Sequence, residues 1–323
     1  MKKIQLIGLL ICITIILSSC QPRTQVPAKD EEVILLGFSQ IGSESGWRDG
    51  NTKSIKEAAE HHGITLRFEN AEQKQAKQID AIRSFIAYQV DVIAFSPIVT
   101  NGWDIVLQEA KAAGIPVLLC DRYIDVEDDS LYECFIGSNV FNEGKLAADY
   151  LLQKTAGMDE VHIVEIMGTL NSTSMEQRTL GFRTTLAPHT QYTVIDSANG
   201  DFLRSKGKEA MKALLGRNAH IDVLYSHNDA MTLGAVEAIE NAGLVPGKDI
   251  LIISVDGEQK AIDLLKEGKI NCIVECSPML GNAIMDMTKQ LYAGKQIPKT
   301  YHIPTRVFTS DDENIQNLPP RGY

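Results

Sequence analysis

VDVIAFSP (90–97) and IPVLLCD (115–121) are two short runs in which almost every residue is apolar, and each ends on a polar residue or a proline. A strand with one wet face would alternate apolar and polar residues. Runs without alternation belong to strands covered on both faces, as in parallel sheets flanked by helices. Working outward, VILLGFS (33–39), TLRFEN (65–70) and YECFIG (132–137) have similar length and punctuation. Between them Ile55, Ala58, Ala59 and His62 recur at helical spacing, as do Ile79, Ile82, Phe85 and Ile86. The beat resumes after Asn139 with VHIVEIMG (161–168), YTVIDS (192–197), IDVLYSH (221–227), DILIISVD (249–256) and NCIVEC (271–276). The pattern predicts an α/β chain of ten strands in two groups of five, folded as two doubly wound parallel-sheet lobes.

The ends of the chain read differently. Residues 1–20 begin Met1-Lys2-Lys3, continue as an apolar run from Ile4 to Leu17 and close on Ser18-Ser19-Cys20, the pattern of a secretory signal. Leu17-Ser18-Ser19-Cys20 resembles a bacterial lipobox, which implies a lipid-carrying Cys20 as the first mature residue. Residues 21–32, QPRTQVPAKDEE, have two prolines and no periodic apolar face, so they read as a tether. About 290 residues remain, enough for two lobes rather than one ordinary core. Without Lys2 and Lys3 the chain carries 29 Lys+Arg against 42 Asp+Glu and no basic run, which makes nucleic acid a poor partner. Cys120, Cys134, Cys272 and Cys276 all lie in apolar runs and read as buried thiols, with a Cys120–Cys134 bridge the one pairing to test. No CxxC or HExxH spacing occurs, so no motif supports a metal site, and no cofactor is expected.

In doubly wound sheets, ligands bind outside the carboxyl ends of the strands. The residues just past those ends are Glu44, Trp47 and Arg48 after the first strand and Asp121 and Arg122 after the fourth. In the second half Arg178, Phe202, Asn228, Asp256 and Glu275 hold the corresponding places. GSESGWRDG (42–50) has bulky Trp47 and Arg48 where a phosphate cradle needs backbone, and no P-loop lysine. There is no GxSxG, and His189 and His227 stand alone as a surface and a strand-end residue. A sugar suits this set. Its C–H faces pack on an aromatic ring such as Trp47, and its hydroxyls both accept from arginine and donate to carboxylate.

From Val33 to Tyr323 the chain resembles the periplasmic sugar-binding proteins of ABC transporters, in the ribose-binding type related to the LacI repressor core. The resemblance is carried by GFSQIGSESGWR (37–48), QKQAKQIDAIRSFIAYQVDVI (73–93), GIPVLLCDR (114–122), EGK (143–145), GDFLRSKGKEAM (200–211), SHNDAMTLGAVEAI (226–239) and GLVPGKDILIISVDG (243–257). Galactofuranose-binding members are the nearest likeness, through GSESGWR and GDF-x-RSKGKE. The resemblance implies a type I periplasmic binding protein, with one lobe at 33–138 plus 276–306, the other at 139–275 plus 307–323, and a hinge between. It places the ligand-binding residues at Glu44, Ser45, Gly46, Trp47, Arg48, Asp121, Arg122, Arg178, Phe202, Asn228, Asp256 and Glu275. Ribose binders resemble one another in having two aromatics where this chain has Trp47-Arg48 and a glutamine where it has Glu275, which argues against ribose itself.

The implied protein is a monomeric, non-catalytic, lipid-anchored extracytoplasmic receptor that hands a monosaccharide to an ABC permease. A receptor read by a membrane sensor kinase or chemoreceptor is the alternative. A repressor would need a helix-turn-helix in residues 1–32, which read as signal and tether. A glycosidase would need two carboxylates free to flank a bond, whereas Asp121, Asp256 and Glu275 are expected to balance arginines or meet hydroxyls.

Overall fold

The alternation of buried runs and helical stretches resolves, in a computed structural model that describes residues 33–323, into strands and helices in nearly strict succession. The expected signal, tether and acylated Cys20 lie outside the described residues. The first half runs β1 (Leu35–Gln40), α1 (Gly46–His62), β2 (Thr65–Asn70), α2 (Gln75–Ala87), β3 (Val92–Phe95), α3 (Asp104–Ala112), β4 (Val117–Cys120) and β5 (Cys134–Gly137). The second runs α4 (Val140–Lys154), β6 (Val161–Met167), α5 (Thr173–Leu186), β7 (Tyr192–Asn199), α6 (Arg204–Arg217), β8 (Val223–Ser226), α7 (Asp229–Asn241), β9 (Leu251–Asp256), α8 (Gln259–Lys266) and β10 (Cys272–Glu275). The chain then returns through α9 (Gly281–Tyr292), β11 (Thr300–His302) and β12 (Val307–Thr309).

Two six-stranded sheets result, ordered β11-β5-β4-β3-β1-β2 and β12-β10-β9-β8-β6-β7. Strands β3, β4, β5, β8 and β10 are buried along their whole length, as their unbroken apolar character requires. The count of ten strands in two groups of five is corrected to twelve among the described residues. The two additional strands are three residues each, sit at sheet edges and are mostly exposed, so no apolar run announces them. β11 lies parallel to β5, while β12 lies antiparallel to β10 and is the exception to parallel pairing. The chain thus passes between the sheets three times: after β5, after β10 and between β11 and β12.

All four cysteines of the described residues are free and buried. Cys120 faces Ile136 and Cys134 faces Leu118 across the β4–β5 ladder, so the two thiols are out of register for a bridge. Burial pushes all four thiols above their usual range, Cys134 to about 11, which leaves them protonated and unreactive.

In each sheet the order reverses beside the first strand of its half, between β1 and β3 and between β6 and β8. Those switch points are where doubly wound sheets place ligands. Among the described residues no helix is long and apolar enough to cross a membrane.

Candidate functional site

β1 ends at Gln40, and the chain turns through Ile41–Glu44 before Ser45 caps α1, its hydroxyl accepting from Arg48 N–H at 3.2 Å. The cap fixes the first helical turn, so Trp47 and Arg48 project from the start of α1 and are buried. Arg48 is held on both sides: Nε donates to Glu44 at 2.9 Å and Nη2 to Asp121 at 2.7 Å. Asp121 follows β4 with φ +68°, a left-handed conformation that costs a non-glycine residue about 1–3 kcal/mol. Arg122 comes next and is less well paired. Its Nη1 donates to the Ile98 carbonyl at 3.0 Å, and its Nε is 3.8 Å from Asp121. The contact of Asp121 with its neighbour Arg122 is therefore the weaker of the two that Asp121 makes with arginines.

The second lobe repeats the theme with other residues. Arg178, on α5, donates from Nε and Nη2 to Glu143 of α4 at 2.9 and 2.8 Å, and Nη2 lies 3.6 Å from Asp256 at the end of β9. Asn228 caps α7, accepting from Met231 N–H at 3.0 Å. Phe202, in the turn after β7, and Asp256 both have positive φ, +61° and +122°. Gly168 makes room for the Phe202 ring, since a Cβ there would lie 1.9 Å from it. Positive φ at Asp121, Phe202 and Asp256 thus holds three of these residues in conformations that their surroundings must stabilise.

These side chains meet. Glu44, Ser45, Trp47, Arg48, Asp121 and Arg122 from the first lobe and Arg178, Phe202, Asn228 and Asp256 from the second line one cavity, together with Ser174 and Cys276. Two expected members stand elsewhere. Gly46 borders the groove outside and sits where the lobes approach, because a Cβ there would lie 2.6 Å from Glu258. Glu275 is buried but turned to the hinge, where Arg306 grips it through two bonds of 2.6 and 2.9 Å and Arg321 adds a further contact. Successive strand residues point to opposite faces, so Cys276 takes the place at the cavity. Ser174 is one helical turn before Arg178 and shares its face, a spacing that could have revealed it. His227 is a fully buried strand-end residue bonded to Glu165 at 2.8 Å, and burial lowers its pKa. His189 is exposed.

Around the cavity three arginines face three carboxylates, Glu44, Asp121 and Asp256, so the lining is formally neutral. Burial opposes the charge on Arg48 and Arg178, but their carboxylate partners outweigh it and hold both guanidinium pKa values above the usual range. Arg122 lacks that compensation and is lowered to about 10, chiefly by burial. Burial likewise raises the Asp256 carboxyl, against the pull of Arg178 and with Asp229 and Glu258 nearby. Glu44 Oε2, Arg48 Nη1 and Arg122 Nε are buried without a hydrogen-bond partner.

The lobes touch at several points around this cavity. Thr100 N–H donates to the Asn171 carbonyl at 3.1 Å, and Tyr123 N–H to Thr173 Oγ1 at 3.0 Å. Arg122 stacks over the Phe202 ring at 5.2 Å, and Trp47 N–H donates to Glu258 at 2.8 Å. Trp47 Nε1 donates to the Cys276 carbonyl at 2.5 Å, so the indole is tied to the hinge as well as lining the cavity. Arg48 lies over the same indole at 4.6 Å. The cavity between these contacts is about 30 Å³, room for about two waters.

Residues 36–296 match the family described as periplasmic binding protein domain. The chain is 41% identical over 296 residues to the galactofuranose-binding protein YtfQ of Escherichia coli (strain K12), covering 90% of this chain and 93% of that one. It is also similar to a solved Mycobacterium smegmatis structure in complex with β-D-fucofuranose, at 46% identity and TM-score 0.85, over 86% of this chain and 92% of that one. A third likeness is the periplasmic binding protein component of the arabinose ABC transporter from Shewanella sp. ANA-3, bound to α- and β-L-arabinofuranose. The identity is 42% and the TM-score 0.84, over 88% of this chain and 93% of that one.

Proposed function

The chain belongs to the periplasmic binding protein family, and from that premise we propose that it is an extracytoplasmic lipoprotein that closes on a galactofuranose-like monosaccharide and delivers it to an ABC permease. The observation that carries the reading is the formally neutral ring of three arginines and three carboxylates, with Trp47 and Phe202, around one interlobe cavity. A neutral lining disfavours an anion or cation as ligand. Mixed forked donors and acceptors suit hydroxyls that do both, and the partnerless atoms of Glu44, Arg48 and Arg122 are positions such hydroxyls would meet. The five-membered ring form is supported by the relatives, several of which carry a furanose in their names.

Entry of the sugar then has the lobes part and the Thr100–Asn171 and Tyr123–Thr173 contacts break, because these contacts join the lobes beside the cavity. Hinge closure on ligand is the general motion of periplasmic binding proteins. All twelve residues assigned by resemblance keep a place in the proposal, with Gly46 and Glu275 serving approach of the lobes and the hinge rather than direct contact. Cys20 is proposed as the acylated first residue, and mass spectrometry of membrane-extracted protein should find the lipid mass on a peptide that starts there.

The test of function is a thermal-shift and calorimetric screen of furanose-rich sugars, common pyranoses, nucleotides and amino acids. A true ligand at 100 times its dissociation constant stabilises by about 2.7 kcal/mol. Galactofuranose-like sugars should respond and nucleotides and amino acids should not. A response confined to amino acids or nucleotides would overturn the proposal.

A further inference from the structure

At the opposite end of the second sheet from the cavity, three side chains from two stretches far apart in sequence come together. His162 lies near the start of β6, and His220 and Asp222 immediately precede β8. One ligand atom from each can be chosen so that all lie within 4.8 Å of one another. We propose that His162, His220 and Asp222 form a binding site for a transition-metal dication of the zinc type, outside the sugar cleft and independent of it.

The ladder between β6 and β8 builds the site. Asp222 N–H donates to the His162 carbonyl at 3.0 Å, and His162 N–H donates back to Asp222 Oδ2 at 2.7 Å. That second bond locks the carboxylate in place and leaves Oδ1 directed to His220 Nε2, 2.8 Å away. His162 Nδ1 stands 3.7 Å from Asp222 Oδ2, while its Nε2 stands 3.2 Å from Glu160 Oε1. The two imidazoles lie edge to face, their centroids 6.0 Å apart.

Each feature has a counterpart in metal chemistry. Two imidazoles and one carboxylate are the donor set that suits zinc, copper and nickel rather than magnesium or calcium, which want oxygen alone. A carboxylate on the far nitrogen of a ligating histidine orients the ring and raises its basicity, the part Glu160 plays toward His162. Tetrahedral ligands about 2.0–2.1 Å from a zinc ion lie about 3.3 Å from one another. Drawing in atoms now up to 4.8 Å apart asks little of His220, whose side chain is 68% exposed and free to swing. Three protein ligands leave one position for water. Sixty residues separate His162 from Asp222, so no local motif reveals the set.

The experiment titrates Zn²⁺ into protein purified without a histidine tag, by calorimetry and by competition with a chromophoric chelator, with Mg²⁺ in excess. One saturable equivalent per chain is expected. His162→Ala/His220→Ala should weaken it by at least about 100-fold, and Glu160→Gln, which removes only the outer partner, by about tenfold. His61→Ala, at the exposed member of the His61–His62 pair of α1, should leave it unchanged. Metal-free melting curves of each variant should match wild type, which separates loss of a ligand from loss of fold. No saturable Zn²⁺ binding, binding that survives the double substitution, or displacement by Mg²⁺ would each overturn the proposal. Failure of the sugar screen would not touch it, since the site stands about 20 Å along β6 from the cleft.

Discussion

The two walls of the cavity use the same chemistry with different support. In the first lobe Arg48 is held between Glu44 and Asp121, and both carboxylates belong to the lining. In the second lobe Arg178 is held mainly from behind by Glu143, which is wholly buried and outside the lining, and reaches Asp256 only at 3.6 Å. Arg122 breaks the pairing. It has no acid within 3.5 Å and a lowered pKa, whereas Arg48 and Arg178 are each bonded to a carboxylate and raised. On the proposed function, the difference separates arginines that hold the walls together from the arginine that a ligand would complete.

The largest expected effect tests the second wall. Arg178→Met removes the partner of a buried carboxylate, and leaving one charge of such a pair unmatched costs about 3–5 kcal/mol. Urea unfolding without sugar should show that loss, and a shift below about 1 kcal/mol would mean Glu143 does not depend on Arg178. Arg122→Ala should do the reverse. Affinity for the sugar should fall by about 2–5 kcal/mol, roughly 30-fold to several thousand-fold, while the sugar-free unfolding midpoint moves much less than for Arg178→Met. Equal stability losses in the two variants would erase the distinction between them.

Trp47→Phe probes a smaller term. It keeps a ring at the cavity but leaves the Cys276 carbonyl without its indole donor, so calorimetry should find affinity reduced by about 1 kcal/mol. Trp47→Ala should cost about 2 kcal/mol or more, and equal losses for both would mean the ring itself contributes nothing. A separate contrast is the pH dependence of the second lobe. Burial, with Glu258 nearby, pushes the Asp229 carboxyl up to about 7, above its unfolded value of about 3.9. The folded chain therefore holds more protons than the unfolded chain between those values, and stability falls as pH rises through that window. The melting temperature should drop by about 4–9 °C from pH 5 to pH 7, and Asp229→Asn should flatten the slope.

Ten of the twelve strands among the described residues were legible, eight as largely buried apolar runs and the edge strands β2 and β7 from their length and punctuation, whereas TYH and VFT at exposed edges offer neither signal. The candidate site was legible where the topology alone dictates position, just past the strand ends. At the end of β10 a single residue decides orientation: Glu275 and Cys276 are neighbours on an extended chain, and Cys276 is the one that lines the cavity. Glu143 was quoted for its motif without a role, because its partner Arg178 is 35 residues away and only the packing of α4 on α5 brings them together.

The two returning edge strands also bear on the order in which the molecule can be made. β5 finds its outer neighbour in β11 and β10 finds its own in β12, and both neighbours come after residue 299. A chain growing from its amino end thus carries two sheets with unpaired outer edges until almost its last residues are in place. Such edges are templates for pairing with another chain, and late, distant closure slows folding. A chain stopped at Gly294 would keep every strand end that builds the cavity, yet leave β5 and β10 bare, and it should be lost to aggregation before it could be assayed for sugar.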